Sequence, residues 1–167
     1  NISRLIDLII LENQHIDVLV VDDNSPDDTA SLVVQKQNSY PDRVFLIKRL
    51  HKKGLGTAYI DGFKWSLKNK YDFIISMDAD FSHIVSDLTF MLDEVRKHDG
   101  LVVGSRIIGG SEEYTRVRAF GNIFLTWVFG FTHGSYLSDA LNGFKVFHQD
   151  IYNSFEFTSN AFEIEIE

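Results

Sequence analysis

The strongest constraint on the fold is an alternation. Short apolar runs, each the length of a strand, are separated by stretches of helical periodicity. Ile16–Val21 (IDVLVV), Arg43–Ile47, Tyr71–Met77 and Leu101–Gly104 are the strand candidates. Runs that are apolar throughout, rather than at every second residue, suit strands buried on both faces. Between them, Ala30–Gln37, Gly54–Leu67 and Ser86–Lys97 read as helices, with Leu88, Met91, Leu92 and Val95 on one face of the last. Ahead of the first run, Ile2, Leu5, Ile6, Ile9 and Ile10 also repeat at helical spacing, and Asn1 is placed to cap that helix. Alternating strands and helices predict an α/β fold, a mostly parallel sheet with helices on both faces.

After Gly104 the pattern changes. Ser105–Thr115 reads as a loop, Arg116–Phe131 as a very apolar helix, Ser138–Phe147 as a turn and a short strand, and Ala161 onward as the start of a helix. No linker interrupts the chain, so 1–167 reads as a single domain, long enough for a sizeable core. It opens inside a helix and closes inside an apolar–acidic alternation, FEIEIE, and so reads as a piece of a longer chain.

Composition excludes several classes. A net charge of −8 leaves no footprint for nucleic acid. The absence of cysteine rules out disulfides and thiol catalysis and agrees with a reducing, cytoplasmic setting. The 6 histidines show no metal-ligand spacing, and HExxH is absent. No apolar stretch reaches the roughly 18 residues of a membrane span, and the opening residues do not read as a signal peptide.

The chemistry concentrates where the strands end. Phe73–His83 (FIISMDADFSH) runs from a buried strand into Asp78-Ala79-Asp80. Residues two apart at a strand exit point the same way, so the two carboxylates can converge on one cation. Hard divalent ions take one or two carboxylates, with substrate phosphates and water filling the remaining positions. Ligands of open α/β sheets sit at that end of the strands. The bland alternative is an acidic turn that stops a strand. Asp22 and Asp23 end another strand, where a carboxylate can accept from a base N–H or a ribose hydroxyl, or can serve a capping turn.

The other candidates are divided in the same way. Gly54–Ala58 opens a helix behind Lys52 and Lys53. Its glycines suit tight helix–strand packing better than a phosphate cradle, since neither a P-loop nor GxGxxG is present. Arg106 follows the fourth strand and could hold a diphosphate bidentately, or form a surface ion pair. Arg116 and Arg118 start the apolar helix and could receive an anionic acceptor, or be a solvated helix end. Ala119–Phe131 reads first as a buried core helix, with a membrane-interface helix as the alternative, where Trp127 would be at home. Asp139, in SDALNGF, could be a catalytic carboxylate or an Asx cap, and Gly143 could allow close backbone approach.

Taken in order, VVDDNSPDDT, KKGLGTAYIDGF, MDADFSH, GSRIIGG, RAFGN, SDALNGFKVF and FEIEIE resemble the family 2 glycosyltransferases of the polyprenyl-phosphate sugar branch, the dolichol-phosphate mannose synthases and their prokaryotic relatives. The resemblance runs over nearly the whole chain. It implies the glycosyltransferase-A fold, a nucleotide-binding α/β sandwich, as one catalytic domain. It implies that Asp78 and Asp80, with Ala79 between them, form a DxD motif that binds Mg²⁺ or Mn²⁺ with the donor diphosphate. It assigns Asp22 and Asp23 to the nucleoside, Lys53 and Arg106 to the donor phosphates, Arg116 or Arg118 to the acceptor phosphate, and Asp139 to the sugar. Ile84-Val85 stand where the family usually has a proline, and Ile107 where an aromatic is common. The family's first strand would precede Asn1, and a basic stretch and any membrane-spanning tail would follow Glu167.

The activity this implies is metal-dependent transfer of a hexose, mannose first, from a nucleotide sugar to a dolichyl or undecaprenyl phosphate, with inversion at the anomeric carbon. GDP-mannose is the expected donor and a UDP-sugar the alternative, and the expected place is the cytoplasmic face of a membrane. A phosphate monoester is mostly ionised at neutral pH, so Asp139 would orient or stabilise. With a hydroxyl acceptor, as in cell-surface polysaccharide synthesis, Asp139 would instead be the base. The remaining alternative is nucleotide-sugar binding without turnover.

Overall fold

A computed structural model describes residues 1–51, 54–98, 100–105, 126–127, 131, 139 and 142–153. The elements are α1 (Ile2–Glu12), β1 (Val18–Asp22), α2 (Thr29–Ser39), β2 (Val44–Lys48), α3 (Leu55–Lys68), β3 (Phe73–Ser76), α4 (Asp87–Lys97), β4 (Leu101–Val103), β5 (Lys145–His148) and α5 (Gln149–Asn153). The alternation read from the sequence is therefore present, with ends shifted by a residue or two. β1 starts at Val18 because the preceding Asp17 is engaged sideways, accepting from Arg43 Nε (2.6 Å) and Tyr71 Oη (2.7 Å). Asn1 does occupy the N-cap of α1, but its side chain makes no capping bond. Its carbonyl accepts from Leu5 N instead (3.1 Å).

Side chains alternate between the two faces of each strand, and helices cover both. Val18 and Val20 of β1 and Val44 and Leu46 of β2 pack against Ile2, Ile6 and Ile10 of α1 and Val33 of α2. On the same face Phe73 and Ile75 of β3, Val102 of β4 and Val146 of β5 meet Leu5 and Ile9 of α1 and Leu88, Met91 and Val95 of α4. One stripe of α1 thus serves two core clusters. On the other face Phe45 meets Trp65 of α3 at 4.7 Å, and Ile74 and Phe147 pack on Phe63 of α3 and Tyr152 of α5. Ile6, Leu88, Val33, Val44 and Val146 are fully buried, each contributing about 1.5–3 kcal/mol.

The strands form two groups. β1 and β2 are parallel, in register from Val18↔Val44 to Asp22↔Lys48. β5 lies between β3 and β4 and is antiparallel to both. The expected parallel arrangement thus holds for β1–β2 and for the common direction of β3 and β4, whereas β5 runs against it. The cause is local: Val103 pairs with Lys145, and Gly104 N donates to the Phe144 carbonyl (2.8 Å). The chain leaves β4 and enters β5 at the same end, so β5 must point back.

Between β1 and β3 lies a slot of about 530 Å³. Consecutive residues of both strands line it, Val18–Val21 and Phe73–Met77, as happens when a cavity meets strand edges rather than faces. Among the described residues β1 pairs only with β2, and β3 only with β5. Ile2, Leu5 and Ile6 of α1 roof the slot on one side, and Ala58, Gly62 and Phe63 of α3 on the other.

Most of the expected helix 116–131, and the helix expected from Ala161, lie outside the described residues. Thr126, Trp127 and Phe131 are helical; Thr126 is buried, but Trp127 and Phe131 are exposed with their rings stacked at 5.9 Å. The stretch is therefore not buried on every side.

Two glycines make opposite predictions. A Cβ on Gly62, inside α3, would meet Val21 Cγ2 at 3.5 Å, an ordinary contact. Gly62→Ala should raise stability by about 0.5–1 kcal/mol in urea unfolding. A Cβ on Gly104 would sit 2.8 Å from Phe144 Cδ1, so Gly104→Ala should lower stability by about 1–3 kcal/mol.

Candidate active site

β3 ends at Ser76, and the chain then exposes Asp78 and Asp80. Phe81 follows at φ 69°, a left-handed conformation that bulky residues seldom adopt. It turns the backbone so that Ser82 N donates to Asp80 Oδ1 (2.9 Å). Bonds from the Ser82 side chain and backbone hold the Asp80 carboxyl below the usual carboxylate range, against a smaller opposing effect of burial. Arg4 of α1 lies 5.6 Å from the Phe81 ring centroid and packs the turn from outside.

The chain then dives inward. His83 is buried, stacks on Phe144 (4.8 Å between centroids, 18° between planes) and places Nε2 3.4 Å from Asp78 Oδ2. Phe144 belongs to the stretch that returns beside β3 and β4. Ser76 Oγ donates to the Gly143 carbonyl (2.7 Å). Asn142 Nδ2 donates to the Gly104 carbonyl (2.6 Å), while its Oδ1 accepts from Phe144 N (3.1 Å). These bonds register Asn142–Phe144 against β3 and β4, just ahead of the acidic pair. Asp139, a little earlier in the chain than Asn142, is almost fully buried.

Asp22 and Asp23 end β1 beside the start of α3. The buried Asp22 carboxylate accepts from Ser25 N at 3.3 and 3.4 Å, the turn geometry of the bland alternative. Asp23 pairs with Arg49 Nε. The same buried guanidinium donates to Thr57 Oγ1 (2.7 Å), Asp61 Oδ2 (3.3 Å) and the Gly54 carbonyl (3.2 Å). Gly54 takes φ 97° at the N-cap of α3, a conformation for which glycine is suited. Arg49 therefore locks β1, β2 and the opening of α3 together. Gly54 thus serves the turn into α3 and accepts from Arg49.

The two acidic pairs share one side of the molecule. Tyr71, just before β3, bonds Asp17, just before β1, so the two strands start together. α3 runs back from the far end of β1, where Arg49 and Gly54 sit, to that starting side. The carboxyl ends of β1 and β3 accordingly face the same way, where α/β sheets bind ligands.

Among the described residues no group of three His, Cys, Asp or Glu could hold a metal; the resemblance would rest a cation on Asp78 and Asp80. That pair fits Mg²⁺ or Mn²⁺: both carboxylates reach solvent, and no lysine or arginine among the described residues pairs with either. The remaining positions on such an ion belong to water and substrate phosphate. Lys53, Arg106, Arg116 and Arg118 lie outside the described residues. Sequence reasoning missed Arg49, His83 and Ser76. Arg49 was hidden inside a basic run, and His83 carried no spacing signal beyond its place in the loop that leaves the acidic pair. Among the described residues no helix is long and apolar enough to cross a membrane.

Comparison with known proteins agrees with this architecture. The pattern that defines glycosyl transferase family 2 matches residues 1–155. The polyprenol monophosphomannose synthase of Mycolicibacterium smegmatis is 44% identical over 93 residues, covering 56% of this chain and 35% of that protein. The undecaprenyl-phosphate mannosyltransferase of Micrococcus luteus is 46% identical over 96 residues, covering 58% and 39%. The dolichol-phosphate mannosyltransferase of Pyrococcus furiosus is 27% identical over 162 residues, covering 94% and 44%. The matched stretch thus spans less than half the length of each of these relatives.

The Arg49 network yields a prediction of its own. Arg49→Leu leaves Asp23 uncompensated beside Asp61 and should cost about 3 kcal/mol or more in urea unfolding. Arg49→Lys should recover only part, because an ammonium cannot reproduce the planar fork.

Proposed function

The chain belongs to glycosyl transferase family 2, and from that premise we propose that its whole protein transfers a mannosyl group from a nucleotide sugar to a polyprenyl phosphate. The observation that carries this reading is the exposed Asp78–Asp80 pair at the carboxyl end of β3, with Asn142–Phe144 bonded alongside it. The acceptor follows from the relatives, whose names all specify mannose and a polyprenol, undecaprenyl or dolichol phosphate. GDP-mannose is the donor of first choice and a UDP-sugar the second. The reaction then takes place at a membrane surface, on its cytoplasmic face.

In this reaction the bond from the anomeric carbon to the donor diphosphate breaks, and an acceptor phosphate oxygen forms the new bond to that carbon. Mg²⁺ or Mn²⁺, held by Asp78 and Asp80, would supply charge stabilisation to the departing nucleoside diphosphate. Lys53 and Arg106 would add to it, Arg116 or Arg118 would hold the acceptor phosphate, and Asp22 and Asp23 would face the nucleoside. The acceptor's second pKa is near 6, so its oxygen is already a competent nucleophile and needs no strong base. Asp139, almost fully buried, then orients the sugar side of the site.

The slot between β1 and β3 supports the same reading. Its two strand edges and its two helical roofs leave room for one more strand. A strand there would satisfy both edges, whose backbone groups have no ladder partner on that side among the described residues.

Transfer of radiolabelled mannose from GDP-mannose to undecaprenyl phosphate by the full-length protein tests the proposal. Asp78→Asn and Asp80→Asn should each lower the rate by about a hundredfold or more, in keeping with the loss of a charge-stabilising group. Chelation of the divalent ion should abolish transfer, and added Mn²⁺ should restore it. Undiminished transfer by both variants would contradict the assignment.

A further inference from the structure

Buried polar atoms are almost always hydrogen-bonded, and one that is not calls for a physical reason. Among the described residues, the buried Nε2 of His83 has no such partner. The rest of the ring is well packed: its face lies on Phe144, 4.8 Å away and only 18° from parallel. Phenylalanine would fill that stack equally well and without an unpaired polar atom. The group that Nε2 faces is the Asp78 carboxylate, whose Oδ2 is 3.4 Å away. The contact falls just short of hydrogen-bond geometry. Asp78 is the movable partner, since half of its side chain is exposed while only 5% of the His83 side chain is.

Either ring nitrogen of an imidazole can serve as the donor. With Nε2 as the donor, a modest rotation of Asp78 would close an Nε2–H···Oδ2 bond and turn the second carboxylate oxygen outward. Phe144 lies in the stretch that Ser76 and Asn142 tie to β3 and β4, so His83 also registers the acidic turn against the Asp139 element.

Resting on the reading of Asp78 and Asp80 as the ion site, we infer that His83 is a positioning residue for Asp78. It takes one carboxylate oxygen when the donor binds and leaves the other aimed at the cation and the diphosphate. Outer partners of metal-binding carboxylates fix ligand orientation, and losing one typically weakens metal affinity or activity about 10–100-fold.

The test uses the full-length protein and His83→Phe, which keeps the ring on Phe144 and removes the N–H. Mn²⁺ binding in the presence of GDP is followed by electron paramagnetic resonance, GDP binding without metal by calorimetry, and stability by thermal unfolding. The expected result is a 10–100-fold loss of Mn²⁺ affinity, with metal-free GDP affinity unchanged and the unfolding midpoint unchanged or raised. His83→Gln, which retains an N–H donor, should recover part of the loss. A Phe variant with wild-type Mn²⁺ affinity would overturn the inference and leave His83 a packing residue. A loss shared equally by metal-free GDP binding and the unfolding midpoint would overturn it as well. Wild-type protein that binds GDP equally with and without Mn²⁺ would overturn the ion site itself, and the inference with it.

Discussion

The site depends on the backbone ladder that β5 makes with both of its neighbours. A strand in the middle of a sheet has to satisfy its backbone groups on two sides. β5 does so against β3 through Phe73↔His148 to Ser76↔Lys145, and against β4 through Leu101↔Phe147 to Val103↔Lys145. Because it enters where those strands finish, the residues just ahead of it must lie over their carboxyl ends. The bond from Ser76 to Gly143, the two bonds of Asn142 and the ring of Phe144 under His83 all follow from that placement. Loss of the β5 register would separate the acidic turn from the stretch that carries Asp139.

Electrostatics supplies the second requirement. Acidic side chains collect at the ends of β1 and β3, and the fold treats them differently. At β1 a buried Arg49 takes Asp23 and reaches Asp61, while Asp22 accepts from the backbone. At β3 the carboxylates face water with a histidine beside one and a backbone N–H on the other. Among the described residues, one acidic end is therefore compensated from within, and no lysine or arginine pairs with the other. In the proposed function the divalent cation that accompanies the donor diphosphate brings the opposite charge.

Much of this was legible in the residues. The isoleucine spacing of α1 and the leucine and methionine face of α4 appear as buried stripes. The apolar runs became strands because residues such as Ile74 and Val146 are buried on a sheet covered from both sides. The acidic pair could be placed from strand geometry alone, and the family from the order of its motifs. The direction of β5 could not be read, since pairing between residues as distant as Ile75 and Val146 leaves no local signal. Nor could Arg49 or His83, because each owes its place to partners brought together by folding: Thr57 and Asp61 on α3 for one, Phe144 for the other. A neutral-looking histidine and one basic residue in a basic loop become informative only once their burial is known.

The most direct measurement is anomalous diffraction from crystals of the full-length protein grown with GDP and Mn²⁺. The account predicts one strong manganese peak within bonding distance of the Asp78 and Asp80 carboxylates, with the GDP diphosphate on its far side. Manganese elsewhere, or GDP bound away from the carboxyl ends of β1 and β3, would contradict it.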